Sequence, residues 1–131
     1  LSKNKVDFTL AFRRLSRLSF FDSSGDSLVG DLFDEPQDFD SWAKRWRDRH
    51  KFEESSASER MDQMLSVNPA YIPRNHRIEN VIREAEDNNN FEPFHELCNV
   101  LGDPYSEHKK FSSYEDKPNS DEIVRATFCG T

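Results

Sequence analysis

Three consecutive asparagines, residues 88–90, separate two stretches in which apolar residues recur with helical spacing, and this arrangement limits the fold more than any other feature. The first stripe consists of Ile78, Val81, Ile82 and Ala85, and the second of Phe94, Leu97, Cys98 and Leu101. The asparagines indicate a turn and offer a cap for the second helix, which Gly102 ends. Because a short joint makes consecutive helices antiparallel neighbours, the sequence predicts a central helical hairpin.

Two further helices are predicted before the middle of the chain. A first helix is expected from about residue 8 to 19, where Asp7 can cap the first turn and one face is apolar. The segment SWAKRWRDRHKF predicts a second helix that Asp40 can cap. On it, Trp42 and Trp46 are one turn apart, a spacing that favours packing in the core over a ligand platform.

A third helix and the start of the fourth are indicated by capping residues and prolines. Ser56 and Glu59 have the spacing of a capping box, which predicts a helix from about 57 to 66. Asn68-Pro69 should end it, because the residue before a proline is displaced from helical geometry. Pro73 then suits the first turn of the fourth helix.

The remaining segments are predicted to lack regular structure. Residues 22–40 contain seven acidic and no basic residues, which indicates a long acidic loop held by a few apolar contacts, with room for one helical turn. The stretch after Pro104 is polar and aromatic, so we expect an extended tail with at most one short strand, in IVRATF. The fold class is therefore all-α, with about five helices in a single domain, residues 1–131.

Composition excludes some functions. With 18 basic against 25 acidic residues and a net charge of -7, the chain has no overall attraction to a phosphate backbone, so we expect no nucleic-acid partner. No apolar run approaches the roughly 20 residues that span a bilayer, so we expect no membrane partner. Two cysteines are too few for a disulfide scaffold and favour a reducing compartment. Because Leu1 is not a methionine, we expect a piece of a longer protein.

The usual catalytic motifs are missing from the sequence. There is no glycine-rich phosphate loop, no GxSxG nucleophile motif and no HExxH zinc motif. His95 and Cys98 have a spacing that could bind zinc from one helix face, but without a second pair packing and surface roles are favoured. Cys98 lies on an apolar stripe, which favours a small buried hydrophobe.

Three residues remain as candidate functional positions. Arg74 and Asn75, at the start of the fourth helix, could tie the preceding loop to the helix or bind an anion at its positive end. Cys129, third from the end, is either an inert thiol under a docked tail or an exposed redox residue.

Four segments in order resemble the C-terminal region of the SelO family, the selenoprotein O group. They are DFTLAFRRLS at 7–16, VNPAYIPRNHRIENVIREAED at 67–87, DPYSE at 103–107 and the closing TFCGT. His76 and Pro73 depart from the pattern, where an aromatic and an aliphatic residue would be expected. The resemblance implies a pseudokinase-like parent protein that transfers AMP from ATP to hydroxyl side chains of protein substrates.

The resemblance also implies which part of the parent protein binds the cofactors. ATP and the divalent metal, Mg or Mn, would bind to the kinase-like domain, so this part would hold no cofactor or metal, would be inactive alone, and would have that domain as partner. Cys129 occupies the position where some eukaryotic members carry selenocysteine, which implies redox control. The location would be cytoplasmic in a bacterium and mitochondrial in a eukaryote. The competing interpretation is a free-standing helical protein-interaction module.

Overall fold

The computed structural model describes residues 1–18, 22–52 and 56–125 and has two compact units, Leu1–Ala70 and Tyr71–Thr131. Over the described residues the regular elements are all helical, which confirms the predicted all-α class. The α-helices are α1 (Phe8–Leu15), α2 (Ser27–Gly30), α3 (Pro36–His50), α4 (Ala57–Val67), α5 (Asn75–Asn88) and α6 (Glu92–Gly102). Two 3-10 helices, Ser2–Asn4 and Lys109–Glu115, complete them. The expectation of a single domain stays a prediction.

Helix ends in the first unit follow local capping chemistry, with two corrections. The Asp7 carboxylate accepts a hydrogen bond from the backbone N–H of Leu10 at 2.9 Å, and the capping box of Ser56 and Glu59 is formed. The cap predicted at Asp40 is wrong, because α3 begins at Pro36, whose fixed φ suits the first helical turn. Helix α1 ends four residues before the predicted residue 19.

The core of the first unit combines residues from α1, α2 and α3 with Leu18. Its buried members are Leu15, Leu18, Val29, Phe39 and Ala43. Val29 comes from α2, the single helical turn that was predicted to be possible within the acidic loop. Trp46 packs against this core, whereas Trp42 is 38% exposed. The prediction that both tryptophans belong to the core is therefore half right, since Trp42 lies at the edge.

A buried arginine anchors the end of α4 in the first unit. Arg13, 6% exposed, donates from Nη1 to the backbone carbonyls of Leu65 at 3.0 Å and Asn68 at 2.8 Å. These carbonyls lie at the end of α4, where the last turn has no partners of its own within the helix. As predicted, Asn68-Pro69 stops α4: the last helical residue is Val67, and Asn68 is the C-cap with extended geometry.

The second unit contains the predicted hairpin. Helices α5 and α6 contact each other across a three-residue joint, in which Asn89 is left-handed with φ 49°. The Asn90 side-chain oxygen accepts from the N–H of Glu92 at 3.2 Å, so the asparagines form the predicted turn. The N-cap position of α6 is Phe91, which makes no side-chain cap, so the prediction of an asparagine cap was wrong. Two other details were also wrong. Pro73 lies outside α5, and Cys98 is exposed.

The exposure of Cys98 follows from the width of the apolar stripe on α6. The buried residues of that helix are Leu97 and Val100, three positions apart and thus on one face. Cys98 is rotated by about 100° from Leu97, at 3.6 residues per turn, and faces solvent.

The segment after α6 is more ordered than its composition suggested. The 3-10 helix Lys109–Glu115 was not predicted, and its buried residue is Phe111, 4% exposed. Residues 116–125 contain no helix or strand. The rest of the predicted strand, residues 126–128, lies outside the described residues. Across the described part of the chain, no helix is both long and apolar enough to cross a bilayer.

Candidate functional site

Arg74 lies at the N-cap position of α5 with extended backbone geometry, φ -71° and ψ 133°. Its side chain is buried, and its Nη2 donates to the backbone carbonyl of Glu115 at 2.9 Å. A buried guanidinium needs such acceptors, because an unsatisfied charge in the interior is costly. The contact therefore holds the end of the second 3-10 helix against the start of α5.

Arg77 makes a parallel contact one turn further along α5. Its Nη2 donates to the carbonyl of Ser113, and its guanidinium lies over the ring of Tyr114 at 5.4 Å from the centroid. Residues three apart on a helix share a face, so Arg74 and Arg77 reach the same three-residue stretch. A guanidinium over an aromatic ring adds a cation–π attraction.

Tyr71 completes this set of contacts from the loop before α5. It is 1% exposed, and its backbone N–H donates to the carbonyl of Pro104 at 3.2 Å. Its hydroxyl donates to the carbonyl of His108 at 3.3 Å and accepts from the His108 N–H at 2.8 Å. We call Tyr71, Arg74 and Arg77 the tyrosine–arginine clamp. The clamp satisfies backbone groups over residues 104–115, a segment whose first residues have no helix to pair them.

Tyr114 links the clamped segment to the hairpin. Its hydroxyl donates to Glu96 Oε1 at 2.6 Å. Burial, followed by the hydrogen bond and the charge of Glu96, raises the pKa of Tyr114 to about 12. The hydroxyl is therefore a firmly held proton donor and does not serve as a base near neutral pH.

His76 lies on the face of α5 turned toward a polar cleft of about 590 Å³. It is buried, at 8% exposed, and desolvation together with the charge of Arg77 lowers its pKa. The cleft is also lined by Glu79, Asn80 and Arg83 of α5 and by residues 121–125. The charges in the cleft are mixed, so it favours neither an anion nor a cation.

The predicted site residues are only partly brought together. Asn75 is the exposed first residue of α5, beside Arg74, and both line a small cleft of about 310 Å³. The anion-contact hypothesis for this pair stays a prediction, although Arg74 already donates to a carbonyl. Cys129 lies outside the described residues.

In the part of the chain that the structure describes, the donor set does not fit a nucleotide-bound divalent metal. Among residues 1–18, 22–52 and 56–125, no group of three or more His, Cys, Asp or Glu side chains is placed to hold a metal ion. The acidic cleft beside α3 shows why: Asp26 pairs with Arg47, and Lys44 and Lys51 stand among the remaining carboxylates. A cation there would meet ammonium and guanidinium groups instead of a set of oxygen ligands.

Sequence patterns did not single out Tyr71 and Arg77, although both are part of the clamp. Tyr71 is an aromatic residue in a loop between Pro69 and Pro73, where a backbone that cannot form a helix needs side-chain partners. Arg77 follows Arg74 by three residues, which is the spacing of one helix face. Both signals are present in the sequence, but the acceptors lie about 35 to 40 residues away, so the sequence does not indicate which backbone groups these side chains bind.

The three side chains of the clamp thus hold backbone groups of a distant segment of the second unit. The family profile described as "Protein adenylyltransferase SelO" matches residues 1–102. The chain therefore belongs to the SelO family. It is 49% identical over its whole length to "Protein nucleotidyltransferase YdiU" of Rhodopseudomonas palustris (strain HaA2), covering 26% of that protein.

Two other bacterial relatives agree. Proteins of the same name from Nitrobacter winogradskyi and Bradyrhizobium diazoefficiens are 50% and 46% identical, each matching all of this chain and 26% of its own length. The chain thus spans about a quarter of the length of the curated relatives it matches.

Proposed function

We propose that this chain is the C-terminal supporting part of a SelO-type protein adenylyltransferase, which transfers AMP from ATP to Ser, Thr or Tyr hydroxyls of proteins. The observation that carries the proposal is the match of the entire chain to 26% of a protein nucleotidyltransferase at 49% identity. In this proposal the kinase-like domain binds ATP and Mg or Mn. The chain contributes rigid helical surface to it, and the location is the bacterial cytoplasm.

The clamp supports a bracing role. Tyr71, Arg74 and Arg77 engage backbone carbonyls spread over residues 108–115, so the segment leading to the C-terminal tail is held from three points. In this proposal the segment 108–115 leads toward Cys129, and a functional residue must be positioned by packed structure.

Calorimetric titration with ATP tests whether the nucleotide site lies outside these 131 residues. ATP with Mg or Mn is added to the 131-residue chain and, in parallel, to the longer protein. We expect binding and AMP transfer to a protein substrate in the longer protein alone. Metal-dependent ATP binding by the 131 residues with micromolar affinity, about -8 kcal/mol, would contradict the proposal.

The same proposal gives Cys129 a redox role in the longer protein, with AMP transfer reduced on oxidation and restored by a thiol reductant. The comparison is Cys129→Ser against Cys98→Ser, because Cys98 is an exposed thiol on α6 and provides the matched control. We expect Cys129→Ser to lose the redox response and Cys98→Ser to keep it. Equal responses in both variants would rule the regulatory role out.

A further inference from the structure

An apolar cavity of about 390 Å³ lies in the first unit, apart from the clamp. It is bounded by the first 3-10 helix, α1, α2, α3 and the turn after α2. Its apolar walls come from Ala11, Phe12, Leu15, Val29, Phe33 and Trp42. Small-molecule sites in proteins are mostly apolar clefts of about 300–1,000 Å³ with a few polar groups, so the size and lining suit a small ligand.

The polar groups stand together at the rim. On α3, Asp38, Trp42 and Arg45 are spaced by four and three residues and therefore share the face that borders the cavity. Lys3 and Asn4 of the first 3-10 helix lie opposite Asp38.

Three of the four polar rim groups satisfy one another. Asp38 Oδ2 accepts from Lys3 Nζ at 3.0 Å and from Asn4 Nδ2 at 2.9 Å. Asn4 is 6% exposed, and its side-chain oxygen accepts from the N–H of Glu35 at 3.1 Å. These bonds hold the pKa of Asp38 below its usual range, with Asn4 as the larger cause and Lys3 next. The Asp38 carboxylate is therefore already compensated.

Arg45 is the rim group left over. It is exposed, and it makes no hydrogen bond or ion pair with any residue in the described part of the chain. Among the side chains that line the cavity, Lys3 and Arg45 against Asp38 leave one surplus positive charge, in a chain whose net charge is -7. Guanidinium groups bind carboxylates through strong paired hydrogen bonds.

We propose that this cavity binds a small-molecule monocarboxylate with an apolar body, its chain or ring against Phe12 and Trp42 and its carboxylate on Arg45. Charge complementarity at the rim selects the acid over an alcohol of the same length. The recessed shape suits a small ligand better than a second copy of the chain, which would need a broad complementary face.

Titration of the 131-residue chain with decanoate tests the site, with decanol as the uncharged probe of equal length. Trp42 lines the cavity, so tryptophan fluorescence reports occupancy, and calorimetry gives the stoichiometry. We expect saturable binding of one decanoate per chain. Decanol should bind about tenfold more weakly, as expected for the loss of a charge-assisted hydrogen bond.

Two variants with a matched control locate the ligand. Arg45→Gln should weaken decanoate binding about tenfold and leave decanol unaffected. Arg49→Gln, an exposed arginine on the same helix that does not line the cavity, should leave both unchanged. Ala11→Leu fills the cavity and should reduce the affinity for both probes, with folding checked by circular dichroism.

Several results would overturn the proposal. They are the absence of saturable decanoate binding, equal affinity for decanoate and decanol, and equal effects of Arg45→Gln and Arg49→Gln. Self-association of the chain that Arg45→Gln or Ala11→Leu abolishes, measured by analytical ultracentrifugation, would assign the cavity to a second copy and would also overturn it.

Discussion

Replacing Tyr71 by phenylalanine removes one oxygen atom from the clamp and leaves the packing of the ring in place. The hydroxyl accepts from the N–H of His108 at 2.8 Å and donates to its carbonyl at 3.3 Å. Both partners are backbone groups of one residue, and Tyr71 itself is 1% exposed. The substitution therefore isolates two hydrogen bonds that join the loop before α5 to the segment after α6.

The expected loss follows from the geometry of these two bonds. Leaving a buried N–H without its acceptor costs about 1–3 kcal/mol, and a long second bond adds about 0.5 kcal/mol. The His108 side chain is 51% exposed, so water can hydrate part of the released backbone. We therefore expect Tyr71→Phe to lower the free energy of unfolding by about 1.5–2.5 kcal/mol.

Urea unfolding followed by circular dichroism at 222 nm measures this loss. With a urea slope of about 1–3 kcal/mol per molar, the midpoint should fall by about 1 M at an unchanged slope. Tyr105→Phe is the control, because Tyr105 is 46% exposed and should change stability by less than about 0.5 kcal/mol. Equal losses in the two variants would refute the clamp as the cause, and so would a loss below about 0.5 kcal/mol for Tyr71→Phe.

Three other predictions concern single side chains. Arg13→Met removes two hydrogen bonds to carbonyls at the end of α4 and should destabilise the first unit by about 2–3 kcal/mol in urea unfolding, whereas Arg49→Met, at an exposed position, should be neutral. Glu59 accepts from the Ser56 N–H, which lowers the pKa of Glu59 below 4.5. The wild-type chain should therefore be more stable than Glu59→Gln above pH 4.5, and this difference in the free energy of unfolding should be lost as the pH falls through the lowered pKa. A difference that is the same at pH 7 and pH 3 would contradict this. Tyr114 should ionise near pH 12, as measured by absorbance at 295 nm, so its stabilising contribution is present below pH 10 and lost as the pH rises to 12. Glu96→Gln should lower the pKa of Tyr114, and an unchanged titration would refute the role of Glu96.

Local signals predicted the helices well, because their causes lie within a few residues. The Asp7 cap, the capping box of Ser56 and Glu59, and the asparagine turn before α6 all formed. Where local signals compete, the prediction failed. Asp40 could cap a helix, but Pro36 starts the same helix earlier and places Asp40 within it.

The candidate site was predicted less well, since its contacts join distant segments. The sequence indicated that Arg74 ties a loop or binds an anion, and the structure shows the carbonyl of Glu115 as its acceptor. The exposure of Cys98 was missed for a different reason, because the apolar stripe on α6 is wider than the face that is buried.

By itself, the sequence determined the all-helical class, the caps of α1 and α4 and the family likeness, since spacing, capping and motif residues act over one or two turns. Tertiary structure alone decided which residues are buried and which backbone groups they satisfy. It placed Tyr71 on the backbone of His108, Arg13 at the end of α4, and Arg45 at the rim of an apolar cavity. The physical reason is that burial and hydrogen-bond partners depend on which segments meet in space, and this is set by packing across long sequence separations.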